Sequence, residues 1–102
     1  MRFGIDAMGG DNAPCAVVEG AIEAQEALQA DDTIVLIGDQ QQITRHLNQY
    51  NSSKEKIEIV HASEIIAMDD QPTRAFSSKT DSSINIGFKM LKKGELDSFA
   101  SA

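Results

Sequence analysis

The chain has 102 residues, 41% of them hydrophobic and 25% charged, with 9 Lys and Arg against 16 Asp and Glu for a net charge of -7. That is the size and balance of one soluble globular domain, which removes disordered and fibrous classes. The acidity removes a nucleic-acid binder, which needs a basic face, and the longest apolar runs, TIVLI and EIIAM, fall far short of the roughly 20 residues of a membrane helix.

Arg2 to Ala7 reads as a short strand carrying Phe3 and Ile5. Ala13 to Ala30 follows as a helix, with Val17, Ala21, Ala24 and Leu28 forming one stripe. Thr33 to Gly38, TIVLIG, is a continuous β-branched run, the pattern of a strand covered on both faces. Asp39 then caps a second helix through Ile43, Leu47 and Tyr50. The polar run NSSKEK closes that helix and leads into a third strand, KIEIVHA. An irregular segment, broken by Pro72, runs from Ser63 to Thr80. A third helix carries Ile84, Phe88 and Leu91, with Lys89, Lys92 and Lys93 near its C-terminal end and Gly94 past it. DSFASA starts a last strand, and a strand that begins where the chain stops suggests a piece of a longer protein. Strands alternating with helices predict an α/β fold with a parallel sheet and helices on both faces.

In such sheets ligands sit beyond the carboxyl ends of the strands. The stretch DAMGGDNAP, Asp6 to Pro14, lies there. Gly9 and Gly10 let a ligand approach main-chain N–H groups, and Pro14 suits a first helical turn. Asp11 and Asn12 are capping residues that would compete for the same donors, so an anion site and a capped structural turn stand level. Neither dinucleotide nor Walker-type glycine spacing is present. Asp6 ends a strand, where it is either a reactive carboxylate or a brace for the Gly9–Gly10 turn. The second candidate is KTDSS: Asp81 or Thr80 caps a helix, Ser82 and Ser83 supply hydroxyls and N–H groups, and Lys79 supplies a cation.

Other polar residues read as structural. Cys15, the single cysteine, cannot pair within the chain and fits a reducing compartment; with no basic neighbour it reads as a small filler. His61, with Glu64 nearby, reads as a satisfied strand-end histidine before a base, and His46 as solvated. Asp69 and Asp70 precede a proline without the spacing of a metal site, so no metal is expected. The opening MRFGID carries no signal-peptide pattern, which favours a cytoplasmic location.

DAMGGDNAP with VVEGA, IVLIGD, IVHASEIIAMDDQPTRAF, KTDSS and SFASA together resemble the PlsX family, the acyl-carrier-protein:phosphate acyltransferases of bacterial phospholipid synthesis. The likeness runs in order through nearly the whole chain and covers about the first third of such proteins. It implies an α/β/α sandwich like that of phosphate acetyltransferases, of which residues 1–102 would be the N-terminal portion. It implies transfer of a fatty acyl group from acyl carrier protein to inorganic phosphate, by a homodimer peripherally associated with the membrane. No cofactor and no covalent enzyme intermediate are needed.

On this likeness Lys79, Ser82 and Ser83 are the expected phosphate contacts. Gly9, Gly10 and Asn12 would line the floor, and Ser101 would begin the opposite wall. Asp6 and Asp11 would brace the loop, with His61 and Glu64 as lesser candidates. Acyl carrier proteins are acidic, so their dock, like any membrane-binding helix, is expected outside this acidic segment, whose one basic cluster is Lys89, Lys92 and Lys93. Two rival readings are a phosphohydrolase or phosphotransfer enzyme using Asp6 with magnesium held by Asp11, and a non-catalytic anion- or nucleotide-binding module.

Overall fold

Strand β1 (Arg2–Asp6) lies inside a four-stranded sheet in the computed structural model, which describes residues 1–8, 13–50, 54–63 and 82–101. Its companions are β2 (Thr33–Gly38), β3 (Ile57–His61) and β4 (Ser98–Ala100), all parallel, in the order β3-β2-β1-β4. Arg2 faces Thr33 and Asp6 faces Ile37, while Gly38 faces His61 and Phe3 faces Ser98. The chain steps outward through β2 to β3, then crosses back to the free side of β1. Parallel crossovers are right-handed, so this change of direction sends the later helix to the opposite face.

That is where the helices sit. Helices α1 (Cys15–Ala24) and α2 (Gln40–Leu47) cover one face, and α3 (Ser83–Lys92) covers the other. The expected three-layer α/β arrangement is present. β2 shows why its sequence is apolar throughout: Ile34 and Leu36 join the core beneath α1 and α2, whereas Val35 and Ile37 join the core beneath α3. Each has a relative exposure of 3% or less, as a central parallel strand requires.

The helices differ from the expected ones in phase and length. α1 ends at Ala24 in a 3₁₀ turn over Gln25–Ala27, short of Ala30. Its buried positions are Val18, Ala21 and Ile22; Ala24 faces solvent and Val17 is half-buried. The larger Ile22 side chain gains more from burial than an alanine methyl does, so it sets the phase. In α3 the buried positions are Ser83 and Gly87, with Ile86, Met90 and Leu91 against the core, and Phe88 is 53% exposed. Phe99 of β4 accounts for the shift. A Cβ on Gly87 would lie 2.2 Å from the Phe99 ring, so the ring occupies the space a side chain there would need. Phe88 meets the same ring edge-on at 5.4 Å from outside.

Caps hold the helix ends. Asp39 accepts N–H bonds from Gln41 at 3.0 Å and Gln42 at 3.2 Å, as its position predicts. Ser82, rather than Asp81 or Thr80, is the N-cap of α3 and accepts from the Asn85 N–H at 3.3 Å. Gly94, at φ 79°, ends α3 in a Schellman arrangement, with Glu95 N–H bonded to the Met90 carbonyl and Gly94 N–H to that of Leu91. At the opposite end of the sheet Arg2 donates to Glu58 of β3 and to the Glu95 carbonyl, both at 2.8 Å.

The Gln42 N–H bond is the chief reason the Asp39 carboxyl sits below its ordinary 3.8. A group whose folded value is lowered adds stability above its unfolded value and loses that stability as pH falls through the folded one. Asp39→Ala is therefore expected to lower the thermal midpoint at pH 7. Melting curves recorded down a pH series should show the gap closing only below the ordinary carboxylate range.

Candidate functional site

The reversal of strand order lies between β1 and β4, and β1 ends there on Asp6. A carboxylate at this place is half inside the sheet, because β2 and β4 flank it and α3 lies above. Asp6 is 2% exposed. A buried carboxylate needs donors to offset lost hydration, and three converge on it. Ser83 Oγ, in the first turn of α3, donates to Oδ1 at 2.5 Å, and Ser101 Oγ, just past β4, donates to Oδ2 at 2.8 Å. The Met8 N–H donates to Oδ1 at 3.0 Å. Residues separated by 77 and 95 positions thus meet on one side chain.

Local chain geometry prepares this meeting. The chain leaving β1 stays in register for one more residue, with Ala7 N–H bonded to the Ile37 carbonyl at 2.9 Å. Met8 then folds over the end of β2: a Cβ on Gly38 would stand 2.6 Å from Met8 Cγ. A bare Cα at position 38 is what lets the Met8 side chain settle there, which turns its N–H back to Asp6. Ser82, fully buried, fixes the start of α3 as its cap and so fixes Ser83 beside it. Asp6 thus takes a main-chain N–H from its own loop and hydroxyls from two other elements.

The remaining expected residues fall into two groups. Gly9, Gly10, Asp11, Asn12, Glu64, Asp69, Asp70 and Lys79 lie outside the described residues. His61 is described and stands apart from the cluster, at the end of β3, with β2 between it and β1. Its Nδ1 accepts the Gln40 N–H at 3.1 Å, which makes it a cross-strand cap for α2 and places its own proton on Nε2. The strand-end structural reading of His61 describes that contact.

Two minor residues differ from expectation. Cys15 is exposed at the first residue of α1 and fills no gap in the core. His46 is half-buried, and its Nδ1 has no partner among the described residues. Both border an open hollow between α1 and α2 with Glu19; it shares no residue with the Asp6 cluster. Among the described residues no three His, Cys, Asp or Glu side chains gather as metal ligands, and no helix is long and apolar enough to cross a membrane.

Sequence reasoning places Asp6, Ser83 and Ser101 around one site but misses the hydrogen bonds that join both serines to Asp6. The signal that joins them is the strand order, because only a β4 placed beside β1 brings Ser101 to Asp6. Met8 is missed altogether, since its contribution is a main-chain N–H that no residue type advertises.

The family model described as "Fatty acid synthesis protein" matches residues 1–102. A protein called phosphate acyltransferase from Caldicellulosiruptor bescii is 47% identical over 103 residues, covering 100% of this chain and 30% of that protein. Proteins of the same name from Clostridioides difficile and Dictyoglomus turgidum are 40% and 42% identical over 102 residues, again covering all of this chain and 29% and 30% of theirs. The chain spans about three-tenths of the length of these curated relatives. With the match unbroken from the first strand to the last, the chain that builds the Asp6 cluster belongs to the fatty acid synthesis protein family.

Proposed function

We propose that this chain supplies the phosphate side of a phosphate acyltransferase, which moves a fatty acyl group from acyl carrier protein to inorganic phosphate. The observation that carries the reading is the cluster of Asp6, Ser83 and Ser101 at the change of strand order, the usual ligand crevice of such sheets, in a chain related throughout to proteins of that name.

The chemistry asks little covalent work of the protein. A phosphate oxygen attacks the thioester carbon, the new C–O bond forms, the C–S bond breaks and the carrier thiolate leaves to take up a proton. Phosphate is a competent nucleophile at neutral pH, so holding it in line matters more than deprotonating it. The first-turn N–H groups of α3, the serine hydroxyls and Lys79 are the partners proposed to hold it, with Gly9, Gly10 and Asn12 as the floor. Donors aimed at the thioester oxyanion are each worth about 3 kcal/mol in other acyl-transfer enzymes.

A homodimer, a carrier dock and a peripheral membrane contact belong to the same reading and are assigned to parts of the protein beyond residue 102. Use of Asp6 as a phosphoryl acceptor is the poorer fit. Its Oδ1 already takes two donors and its Oδ2 takes one, and a buried carboxylate so occupied is a weak nucleophile.

The direct test is acyl-phosphate formation from acyl carrier protein and phosphate by the full-length enzyme. In the same assay Lys79→Ala is expected to raise the phosphate KM by about tenfold, the loss of one charge-assisted contact of about 1.4 kcal/mol. An unchanged phosphate KM removes Lys79 from the site.

A further inference from the structure

Helix α3 carries more apolar surface than the sheet beneath it covers. Its buried positions, Ser83 and Gly87, are both small. Its large side chains are less well enclosed: Ile84, Ile86, Met90 and Leu91 are half-buried and Phe88 is 53% exposed. Ile86 and Met90 pack toward the core, while Ile84 and Phe88 belong to the second stripe, the one that the sequence alone picks out. A helix with apolar residues on two sides is normally enclosed on both. The uncovered side is the β4 side, because the Phe88 ring meets that of Phe99 at 5.4 Å.

The strand next to it is incomplete in the same direction. β4 is the outermost strand on that side among the described residues. The Asp97 N–H reaches the Arg2 carbonyl of β1 at 2.8 Å. Alternate residues of a parallel strand face the same neighbour, so Ser98 and Ala100 turn their N–H and C=O groups to the outer side. Handedness then says what fits. The chain runs from β1 to β3 with its helices on one face, and back past β1 to β4 with α3 on the other. A right-handed step from β4 to a strand outside it has the same sense as the step that carries α3. Its helix therefore falls on the α3 face, beside Phe88.

We propose that in the full-length protein the segment following residue 102 covers this face. Its first helix lies beside α3 on Ile84 and Phe88, and its first strand extends the sheet, parallel, along the outer edge of β4. The chain spans only 30% of the Caldicellulosiruptor bescii relative, so a helix and strand of about 30 residues fit easily within the remainder. Two other occupants meet one need but not both. A lipid surface, to which Lys89, Lys92 and Lys93 would be drawn, takes the Phe88 ring and offers main-chain groups no partner strand. A second copy could pair edge to edge, but only through a strand of 3 residues. This packing is independent of the phosphate chemistry above.

The test uses the full-length enzyme with a photo-reactive phenylalanine analogue at position 88, its cross-links read by mass spectrometry. The link is expected within one chain, to the roughly 30 residues that follow position 102. Hydrogen exchange on the unaltered enzyme gives a second reading that needs no substitution. The Ser98 and Ala100 amides are expected to exchange at least about 100-fold more slowly than in the unfolded chain.

Cross-links to a second chain, or protection that disappears on dilution to monomers, place a second copy on this face and overturn the proposal. Cross-links to phosphatidylglycerol vesicles in place of the protein assign the face to a membrane and overturn it too, as do cross-links to any other part of the same chain. Exchange at Ser98 and Ala100 within about threefold of the unfolded rate has the same force. Acyl-phosphate formation alongside any of these results leaves the phosphate reading standing. The expected cross-link in an enzyme that forms no acyl phosphate removes that reading and keeps this packing.

Discussion

Replacing Asp6 with alanine in the full-length protein is expected to lower unfolding free energy by about 3 kcal/mol, measured by chemical denaturation. The expectation follows from what is left behind. Three donors lose their acceptor at once, and they are not equivalent. Ser101 is exposed and turns its hydroxyl to water at small cost. Ser83 is 3% exposed, and its hydroxyl and the Met8 N–H both bond Asp6 Oδ1 inside the fold, away from the water that could replace it. Buried donors stripped of a partner keep their desolvation cost, about 1–3 kcal/mol each. Ser83→Ala should cost less than the aspartate change, because the carboxylate keeps Ser101 and Met8. Combining the two isolates their coupling. Additive effects in that cycle would mean that Ser83 and Asp6 do not depend on one another, and the cluster would then be no unit.

The second large effect belongs to the sheet. Leu36→Ala, at the centre of β2, is expected to cost about 3 kcal/mol by the same measurement. Leu36 is fully buried in the core that includes Val18, Ile22, Ile43 and Leu47. Its strand is held on both sides by β1 and β3, so the backbone has no freedom to collapse into the void. A loss below about 1 kcal/mol would show that the α1–α2 layer shifts to refill it.

How far the sequence reveals the fold depends on the kind of signal. TIVLIG can be read to the residue, because a short run apolar at every position and bounded by turn residues fits little besides a strand buried on both faces. The Ile43–Leu47 stripe of α2 is equally clear, set as it is among glutamines, an arginine and a threonine. The phases of α1 and α3 are obscure for a shared physical reason. Both contain several small or apolar residues, so more than one stripe satisfies the helical period, and the choice falls to partners far away in sequence. Ile22 wins over Ala24 through buried area, and Gly87 wins over Phe88 because Phe99 needs the room. In the site, the residue types at strand ends are legible and their geometry is not. Nothing near Asp6 in sequence says that Ser101 will lie 2.8 Å from it.

The late position of β4 in the chain carries a consequence for assembly. Strands one to three and their helices can dock through neighbouring segments, but the pairing of Phe3 with Ser98 must close the loop between those two positions. Long-range pairings of this kind form slowly. Until that closure, strand one presents an unsatisfied edge and its terminal acid lacks a partner from the last strand. A nascent polypeptide held at this stage would be a template for pairing with its neighbours. Docking of the last strand therefore covers the edge of strand one and brings Ser101 to Asp6 in the same event.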